Sequence, residues 1–395
     1  TLNCGQDSSF AGEKTAQGNT DSNGIGDFYY EPPDGFLAMC TSNLPDPAVV
    51  PNEHFNIVSY TGNSSTQSIT GVGFQPDLIW VKKTSASERH SLTDAVRGVN
   101  SQLQSSMVDP ETTSTDKITA FDADGFSLGA DADTHVNLNT ATFVAWNWKA
   151  NGAGSSNEEG SINTTATSAN VDAGFSISTY TGTGSNATVG HGLSKAPEFI
   201  VVKNRDQTDG WLVFHNNVND VTDPETDRLL LNTTNIIDDD VTYWNDTAPT
   251  ADVFSIGTSD GCNVLNEDYV AYCWHSVAGF SKFGMYMGND NNNGPMINVG
   301  FRPKLVIIKI TRSGGNDSWM MYDTEREPYN HADTAIFADD NTGPSTSAAK
   351  QIDILSNGFK VRGADGAVND PEGSGGFYIY MAWAETPFKY AKARC

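Results

Sequence analysis

Short strands are the element that the pattern of apolar and polar residues predicts throughout this chain. In residues 55–60 apolar and polar side chains alternate, which is the period of a strand with one buried face. Residues 78–81 and 143–146 are apolar at successive positions, which is typical of central strands covered on both faces. Long apolar patterns with helical spacing are missing, and the apolar runs are separated by turn-forming Gly, Asn, Asp, Ser and Thr. The chain is therefore predicted to be all-β, with many short strands joined by polar turns.

Three copies of one skeleton follow one another along the sequence. Each has a Tyr at a turn, a Pro that opens an apolar run, a Lys that closes it, and a Trp at the end of a later aromatic strand. The copies are Tyr60, Pro76, Lys82 and Trp148; Tyr180, Pro197, Lys203 and Trp274; and Tyr286, Pro303, Lys309 and Trp383. Fixed spacing within strands and variable spacing between them is typical of a repeated scaffold with variable loops. We predict three tandem antiparallel β-sandwich repeats of jelly-roll type, lying in a row, with the three Trp side chains in the core.

The domain boundaries follow from this skeleton and from stretches rich in Pro or in Ser, Asn, Gly and Thr. The predicted segments are an N-terminal β segment with a linker (1–50), a first repeat (54–150), a linker (151–173), a second repeat (174–277) and a third repeat (278–390). In the N-terminal segment, residues 27–30 and 36–40 are predicted as two short strands. Two strands are too few for an independent sheet. We expect this segment to complete a sheet in the first repeat, in a preceding domain or in a neighbouring subunit.

The net charge of −26, from 49 acidic and 23 basic residues, limits the kinds of partner that the chain is expected to bind. A uniformly acidic surface repels phosphate backbones, so nucleic acid is not expected to bind. No apolar stretch approaches the roughly 18 residues of a membrane helix, so membrane insertion is not expected either. We interpret the start at Thr1, without Met or a signal peptide, as processed or truncated.

The five cysteines leave their redox state open. Cys4 and Cys40 flank the N-terminal segment, Cys262 and Cys273 flank a predicted hairpin, and Cys395 is the last residue. The spacings match no zinc signature. Disulfides Cys4–Cys40 and Cys262–Cys273 are one interpretation, and buried free thiols are the other.

Catalytic signatures are missing from the sequence. No two of the seven histidines form a metal-binding pair, and neither a nucleophile elbow nor a phosphate-binding loop is present. Asp94, His215 and Asp323 occupy matching places at the midpoints of the repeats. Because one copy has His where the others have Asp, we expect no shared catalytic role, and instead a strand rim that faces a ligand or a neighbouring subunit. The chain is predicted not to be an enzyme.

The repeated lysines Lys82, Lys203 and Lys309 end otherwise apolar strands. The simplest interpretation is that each side-chain stem packs on the sheet while the ammonium group reaches water. The alternative is a salt bridge to a repeated acid such as Asp124 or Asp252.

Candidate ligand-binding residues are few. Trp211, Trp244 and Trp319 lie outside the periodic strands and are candidate contact aromatics, with core packing as the alternative. Carboxylates on flexible loops are the ligands that Ca²⁺ uses. The candidate Ca²⁺ ligands are Asp122, Asp124, Asp238 and Asp240, with turn formation as the alternative; no other cofactor is expected.

Several motifs resemble a known family. Residues 74–82 with 94–98, and residues 174–177 with 180–182, resemble a tandem domain of structural proteins of tailed bacteriophages, common in phages of marine and aquatic bacteria. In those proteins the repeats often follow a concanavalin-like (SPRY-type) lectin fold, and residues 3–45 look like the final strands of that fold. The resemblance implies a protein of the virion surface or tail, forming an oligomeric fibre or adhesin.

The sequence thus predicts a non-enzymatic structural and adhesion protein of a virion, either a tail fibre or a surface decoration subunit. Its expected partners are other copies of itself in a trimer or filament, other virion proteins, and a glycan or protein of the host surface. The expected location is the virion surface or the extracellular space. A subunit of an extracellular filament or surface layer is one alternative. A polysaccharide depolymerase, which needs two carboxylates across a cleft, is another.

Overall fold

A computed structural model describes residues 7–40, 43, 49–218, 223–312, 317–370 and 376–385. Nearly all of its regular structure is β-sheet, and every strand pairing is antiparallel. The all-β fold class predicted from the sequence is therefore confirmed. The two α-helices, α1 (Val241–Trp244) and α2 (Asp260–Asn263), have 4 residues each, and the described residues contain no helix long enough to cross a membrane.

The strands fall into three successive stretches, 54–150, 151–277 and 278–385, which we call units 1, 2 and 3. The strands of unit 1 are β1 (Phe55–Thr61), β2 (Gln67–Thr70), β3 (Leu78–Lys83), β4 (Ser91–Asp94), β5 (Ser101–Gln102), β6 (Thr112–Thr113), β7 (Ile118–Asp122), β8 (Gly125–Leu128) and β9 (Thr142–Trp148). Those of unit 2 are β10 (Ala166–Asn170), β11 (Phe175–Thr181), β12 (Ala187–Gly190), β13 (Phe199–Asn204), β14 (Trp211–His215), β15 (Asp227–Leu230), β16 (Asp238–Asp239), β17 (Val253–Ile256) and β18 (Asp268–Trp274). Those of unit 3 are β19 (Ser281–Met287), β20 (Met296–Asn298), β21 (Pro303–Arg312), β22 (Met320–Asp323), β23 (Thr334–Phe337), β24 (Ser345–Thr346), β25 (Ile352–Leu355), β26 (Gly358–Val361) and β27 (Phe377–Ala384).

The main sheets of the three units share one strand order. It reads β1-β9-β3-β4 in unit 1, β11-β18-β13-β14 within the sheet of unit 2, and β19-β27-β21-β22 within that of unit 3. A smaller second sheet lies in each unit, with the orders β2-β8-β7, β12-β17 and β20-β26-β25. The register agrees as well, because Trp148, Trp274 and Trp383 each lie between the first and third strands of their own sheet.

Each unit encloses a hydrophobic core between its two sheets. In unit 1 this core joins Val58, Ile79 and Phe143 of the main sheet to Ile69 and Phe126 of the second sheet. Equivalent cores fill units 2 and 3. One face of every main sheet is thus buried within its own unit, as in a sandwich.

The opposite faces of the three main sheets form one shared central core. At its centre the indole rings of Trp148, Trp274 and Trp383 meet edge to face, with centroids 5.4–6.3 Å apart. The prediction that these three Trp residues are core residues is confirmed. The prediction that the sandwiches lie in a row is wrong, because the strands that are apolar on both faces need a second covering layer, which the neighbouring units supply. The units surround a common axis.

Two segments differ from the sequence-based expectations. Residues 151–173, predicted as a linker, contain β10, which pairs with β11 at the edge of the main sheet of unit 2. The predicted strands at 27–30 and 36–40 are not formed, and no residue of the described segment 7–40 enters a sheet; one isolated bridge joins Asn19 and Phe28. Backbone N–H groups there bond to carboxylates instead, since Asp21 accepts from Asn23, Ile25 and Ala38.

The cysteines in the described residues are free thiols. Cys262 and Cys273 are buried and do not bond to each other, so the free-thiol interpretation is confirmed for this pair and the disulfide interpretation is wrong. The Cys262 thiol lies in α2, 3.5 Å from the carbonyl oxygens of Tyr243 and Ser259, while Cys273 lies near the end of β18. Cys40 is exposed, and its predicted partner Cys4 lies outside the described residues, as does Cys395.

Candidate functional site

Three buried lysines join each unit to the preceding one. Lys203 Nζ of unit 2 donates to the carbonyl oxygen of Val108 in unit 1 at 3.3 Å, and Lys309 Nζ of unit 3 donates to that of Thr234 in unit 2 at 2.7 Å. Lys82 Nζ of unit 1 donates to the carbonyl oxygen of Asn341 in unit 3 at 2.9 Å, which closes the ring. Each lysine is 0% exposed, and burial lowers the pKa of each ammonium group to about 8.

This arrangement corrects both interpretations of the repeated lysines. Their ammonium groups do not reach water, because the loop of a neighbouring unit covers the end of each strand. They do not pair with Asp124 or Asp252 either. Asp124 instead accepts the backbone N–H groups of Gly71 and Gly73, at 3.1 and 2.6 Å.

Aromatic N–H groups bridge the same three junctions. Trp211 Nε1 of unit 2 donates to the carbonyl oxygen of Gln104 in unit 1, and Trp319 Nε1 of unit 3 donates to that of Leu230 in unit 2, both at 3.0 Å. In unit 1 the matching bond joins His90 Nε2 to the carbonyl oxygen of Phe337 in unit 3, at 2.9 Å. Because His90 Nδ1 accepts from Trp80 Nε1 at 2.7 Å, the proton of the neutral imidazole lies on Nε2.

The prediction of Trp211, Trp244 and Trp319 as ligand contacts does not fit the structure. All three side chains are at most 2% exposed. Trp211 and Trp319 bind the neighbouring units, and Trp244 packs edge to face on Phe214 in the outer core of unit 2. The sequence placed them outside the periodic strands, but it could not show that a loop from another unit covers them.

A buried ionic network joins units 1 and 2. Arg97 Nε lies 2.5 Å from Asp94 Oδ2, and Arg97 Nη1 lies 2.8 Å from Glu111 Oε2. Tyr272 of unit 2 donates its hydroxyl proton to Asp94 Oδ2 at 2.7 Å, and Arg205 of unit 2 pairs with Glu111 at 2.8 Å. Burial by itself raises the pKa of Glu111, but its hydrogen bonds and the charges of Arg205 and Arg97 together lower it to about 2.

The matching positions in the other units are also buried. Asp323 Oδ2 of unit 3 pairs with Arg326 Nε at 2.7 Å, entirely within that unit. His215 of unit 2 is 0% exposed, and burial lowers its pKa to about 3. The prediction of a rim that faces a ligand is therefore wrong, since all three positions lie inside the ring of units.

Two buried neutral histidines make the fold sensitive to acid. Burial lowers the pKa of both His90 and His215 below the ordinary value of 6.5. Below pH 6.5 these two histidines bind protons in the unfolded chain but not in the folded chain. The free energy of unfolding therefore decreases as the pH is lowered, by at most about 1.4 kcal/mol for each histidine and each pH unit. We expect urea unfolding to show lower stability at pH 5.5 than at pH 7.5. His90→Gln, whose amide keeps a donor and an acceptor, should reduce this difference, and an unchanged difference would contradict the role of His90.

The candidate Ca²⁺ ligands have other partners. Asp122 accepts from the Ser127 hydroxyl at 2.6 Å, and Asp238 pairs with Arg228 at 2.7 Å. Asp240 accepts the backbone N–H of Thr242 and caps α1. Within the described ranges, no group of three or more His, Cys, Asp or Glu side chains is placed to hold a metal ion. These carboxylates stabilise turns and a helix end, which gives the metal prediction no support.

One surface pair has the geometry of a base and its orienting acid. His331 Nδ1 lies 2.5 Å from Asp353 Oδ1 on unit 3, and Arg362 Nε lies 3.4 Å from the other carboxylate oxygen. In the described part of the chain no hydroxyl or thiol bonds to His331.

A polar groove opens on the surface of unit 1, with a volume of about 770 Å³. It is lined by strand β6, by residues 114–117, and by residues 132, 133 and 135. Arg89 and Gln104 also line it. This volume is within the usual range of small-molecule sites.

Three basic side chains line this groove. Lys117 Nζ donates to Gln102 Oε1 at 2.6 Å and lies 3.0 Å from Asp133 Oδ2. Arg89 Nη1 donates to Gln104 Oε1 at 3.1 Å. His135 is the third, and burial followed by the charge of Lys117 lowers its pKa. Neither a repeated feature nor a carboxylate cluster marks this groove in the sequence. The signal was that Arg89, Lys117 and His135 are among the basic residues that an acidic chain places within residues 89–135.

Comparison with known proteins gives one family. A family model described as a domain of unknown function (DUF7483) matches residues 50–387, which include all three units and leave out the N-terminal segment. A search of the curated proteins found no match.

Proposed function

We propose that this chain, which belongs to the DUF7483 family, is a non-enzymatic structural and adhesion protein of a virion, either a tail fibre or a surface decoration subunit. Its partners in this proposal are other copies of the chain, neighbouring virion proteins, and a glycan or protein of the host surface. Its location is the virion surface or the extracellular space.

The closed ring of three units is the observation that carries the proposal. Lys82, Lys203 and Lys309 each bond to a backbone carbonyl of a different unit. Every main sheet is covered on both faces, so the core of the ring is complete within one chain. A rigid body with a closed core and variable surface loops suits repeated display on a particle, where it must keep its shape outside the cell.

The buried charges support a non-enzymatic role. Asp94 and Glu111 are neutralised by Arg97 and Arg205 within the junction of units 1 and 2. Perturbed titratable groups often mark catalytic sites, but structural ion pairs perturb pKa values as well. Here the partners of these groups are side chains of the ring itself.

Immunogold electron microscopy of purified particles tests the proposal. Antibodies raised against the chain are expected to label virion tails or surfaces. Label confined to filaments or to a cellular surface layer would replace the virion assignment with the filament alternative. A reducing-sugar assay with host polysaccharide tests the depolymerase alternative, and we expect no release above the buffer control.

A further inference from the structure

We propose that the polar groove of unit 1 binds an acidic saccharide, with Arg89 and Lys117 contacting the sugar carboxylate. This inference rests on the proposed function, because it names the chemical class of the host glycan. It concerns unit 1 only, because the other two units have no basic residue at the position of Arg89. When the strand pairs are aligned on the buried lysines, Gly210 of unit 2 and Ser318 of unit 3 correspond to Arg89.

Arg89 has a guanidinium group that a ligand can reach. The Arg89 side chain is 41% exposed. Its ion pair with Asp109 is long, at 3.5 Å, and the Asp109 side chain is 45% exposed. Exposed pairs of this kind contribute little to stability. A carboxylate that enters the groove can therefore take the place of Asp109 and accept two parallel N–H bonds from the guanidinium.

Lys117 supplies a second, fixed positive charge. Its side chain is only 6% exposed, and its donation to Gln102 holds the ammonium group at the wall of the groove. Asp133, its acidic neighbour, is 64% exposed and lies at the outer side. A charge that is anchored before binding loses little conformational entropy when a ligand arrives.

The rest of the lining matches a polyhydroxylated molecule. Thr112, Thr113, Ser114 and Thr115 line the groove with hydroxyl-bearing side chains, and Asp116 adds a carboxylate acceptor. A sugar ring carries hydroxyls that both donate and accept, so it can use both kinds of group.

Hydrogen bonds hold the segments that line the groove in place. The segment before β6 is fixed to unit 2, because Trp211 Nε1 donates to the carbonyl oxygens of Gln104 and Met107. Two lining residues are joined directly, since Asp116 accepts the backbone N–H of Ala132 at 2.8 Å. The groove is thus preorganised in the unliganded protein, which reduces the entropic cost of binding.

The number of cations argues against a phosphate polymer as the ligand. Long nucleic-acid chains depend on many phosphate contacts, whereas this groove offers one local pair, Arg89 and Lys117. A short uronic-acid segment presents one carboxylate to Arg89 and places its hydroxyls along β6. The groove selects a sugar acid over a neutral sugar through these two cations.

Isothermal titration of the full chain with trigalacturonate tests the inference, with neutral galactotriose as the matched probe. We expect trigalacturonate to bind and galactotriose to bind at least roughly tenfold more weakly, the size of one lost charge-assisted pair. Arg89→Gln is expected to weaken the binding of trigalacturonate by a similar factor. Lys195→Gln removes an equal charge from an exposed site on unit 2 and should leave binding unchanged.

Equal binding of the two probes, no binding of trigalacturonate, or full affinity in Arg89→Gln would overturn the inference. Asp133→Asn provides a second variant that is independent of Arg89, and it should strengthen binding by removing a competing acid. The immunogold experiment is separate. Virion labelling without trigalacturonate binding removes the saccharide assignment and keeps the proposed function, and the reverse result removes only the virion assignment.

Discussion

Trp383→Ala is expected to destabilise all three units at once, lowering the free energy of unfolding by about 3–5 kcal/mol. Trp383 is 1% exposed, and its ring contacts those of Trp148 and Trp274 at the axis, as well as Phe55 of unit 1. The cavity already present beside these rings is small, about 20 Å³, and is lined by apolar side chains. The surrounding side chains are therefore closely packed, and we expect removal of the indole to leave a larger cavity. Interiors of this density relax only partly around a deletion.

Hydrogen exchange measured strand by strand distinguishes a shared core from three separate ones. In Trp383→Ala, amides of β3, β13 and β21 should all exchange faster than in the parent chain. Trp244→Ala is the matched control, because Trp244 is equally buried but contacts only the outer core of unit 2. Faster exchange confined to unit 3 in Trp383→Ala would show that the units are energetically independent.

Arg97→Met is expected to cost about 3–5 kcal/mol, because it leaves the buried carboxylate of Asp94 without its counter-charge, while Glu111 keeps Arg205. Asp94 and Glu111 both lose a partner, and the Tyr272 hydroxyl loses a donor. Arg326→Met removes a similar i, i+3 pair whose partner Asp323 lies inside unit 3. Both variants should lower stability in urea, but only Arg97→Met should loosen the contact between units 1 and 2.

Limited proteolysis provides the second readout for Arg97→Met. Cleavage in the loop around residue 108 should accelerate in Arg97→Met and stay at the parent rate in Arg326→Met. The double variant Asp94→Leu/Arg97→Met, which removes both members of the buried pair, should recover part of the lost stability. A double variant less stable than Arg97→Met would show that the apolar pair does not fit the junction.

The strands were predictable because burial leaves a pattern in the sequence. Apolar residues at successive positions of β3 and β9 indicated strands covered on both faces, and the Trp positions indicated a core. The pattern did not reveal what covers the second face. The second face needs the same apolar side chains whether a sheet of the same unit or a sheet of another unit covers it. The sequence therefore could not distinguish a ring of units from a row.

The junctions and the groove were hidden for a different reason. Lys82 and Trp319 bind backbone carbonyls, and a carbonyl group is present at every residue, so its partners have no sequence signature. Arg89 and His135 lie 46 positions apart and line the same groove only because strands β4 to β8 and their connections fold back between them. Such a site depends on loop geometry, which residue spacing does not specify.

Joining the three units in one polypeptide has a consequence for valency. In a homotrimer of identical subunits, any surface site occurs three times around the axis. Here the units differ outside their shared framework, and the groove with Arg89 belongs to one of them. Each ring then offers a single such contact, so multivalent attachment would have to come from the number of chains on a particle and not from the threefold arrangement within one chain.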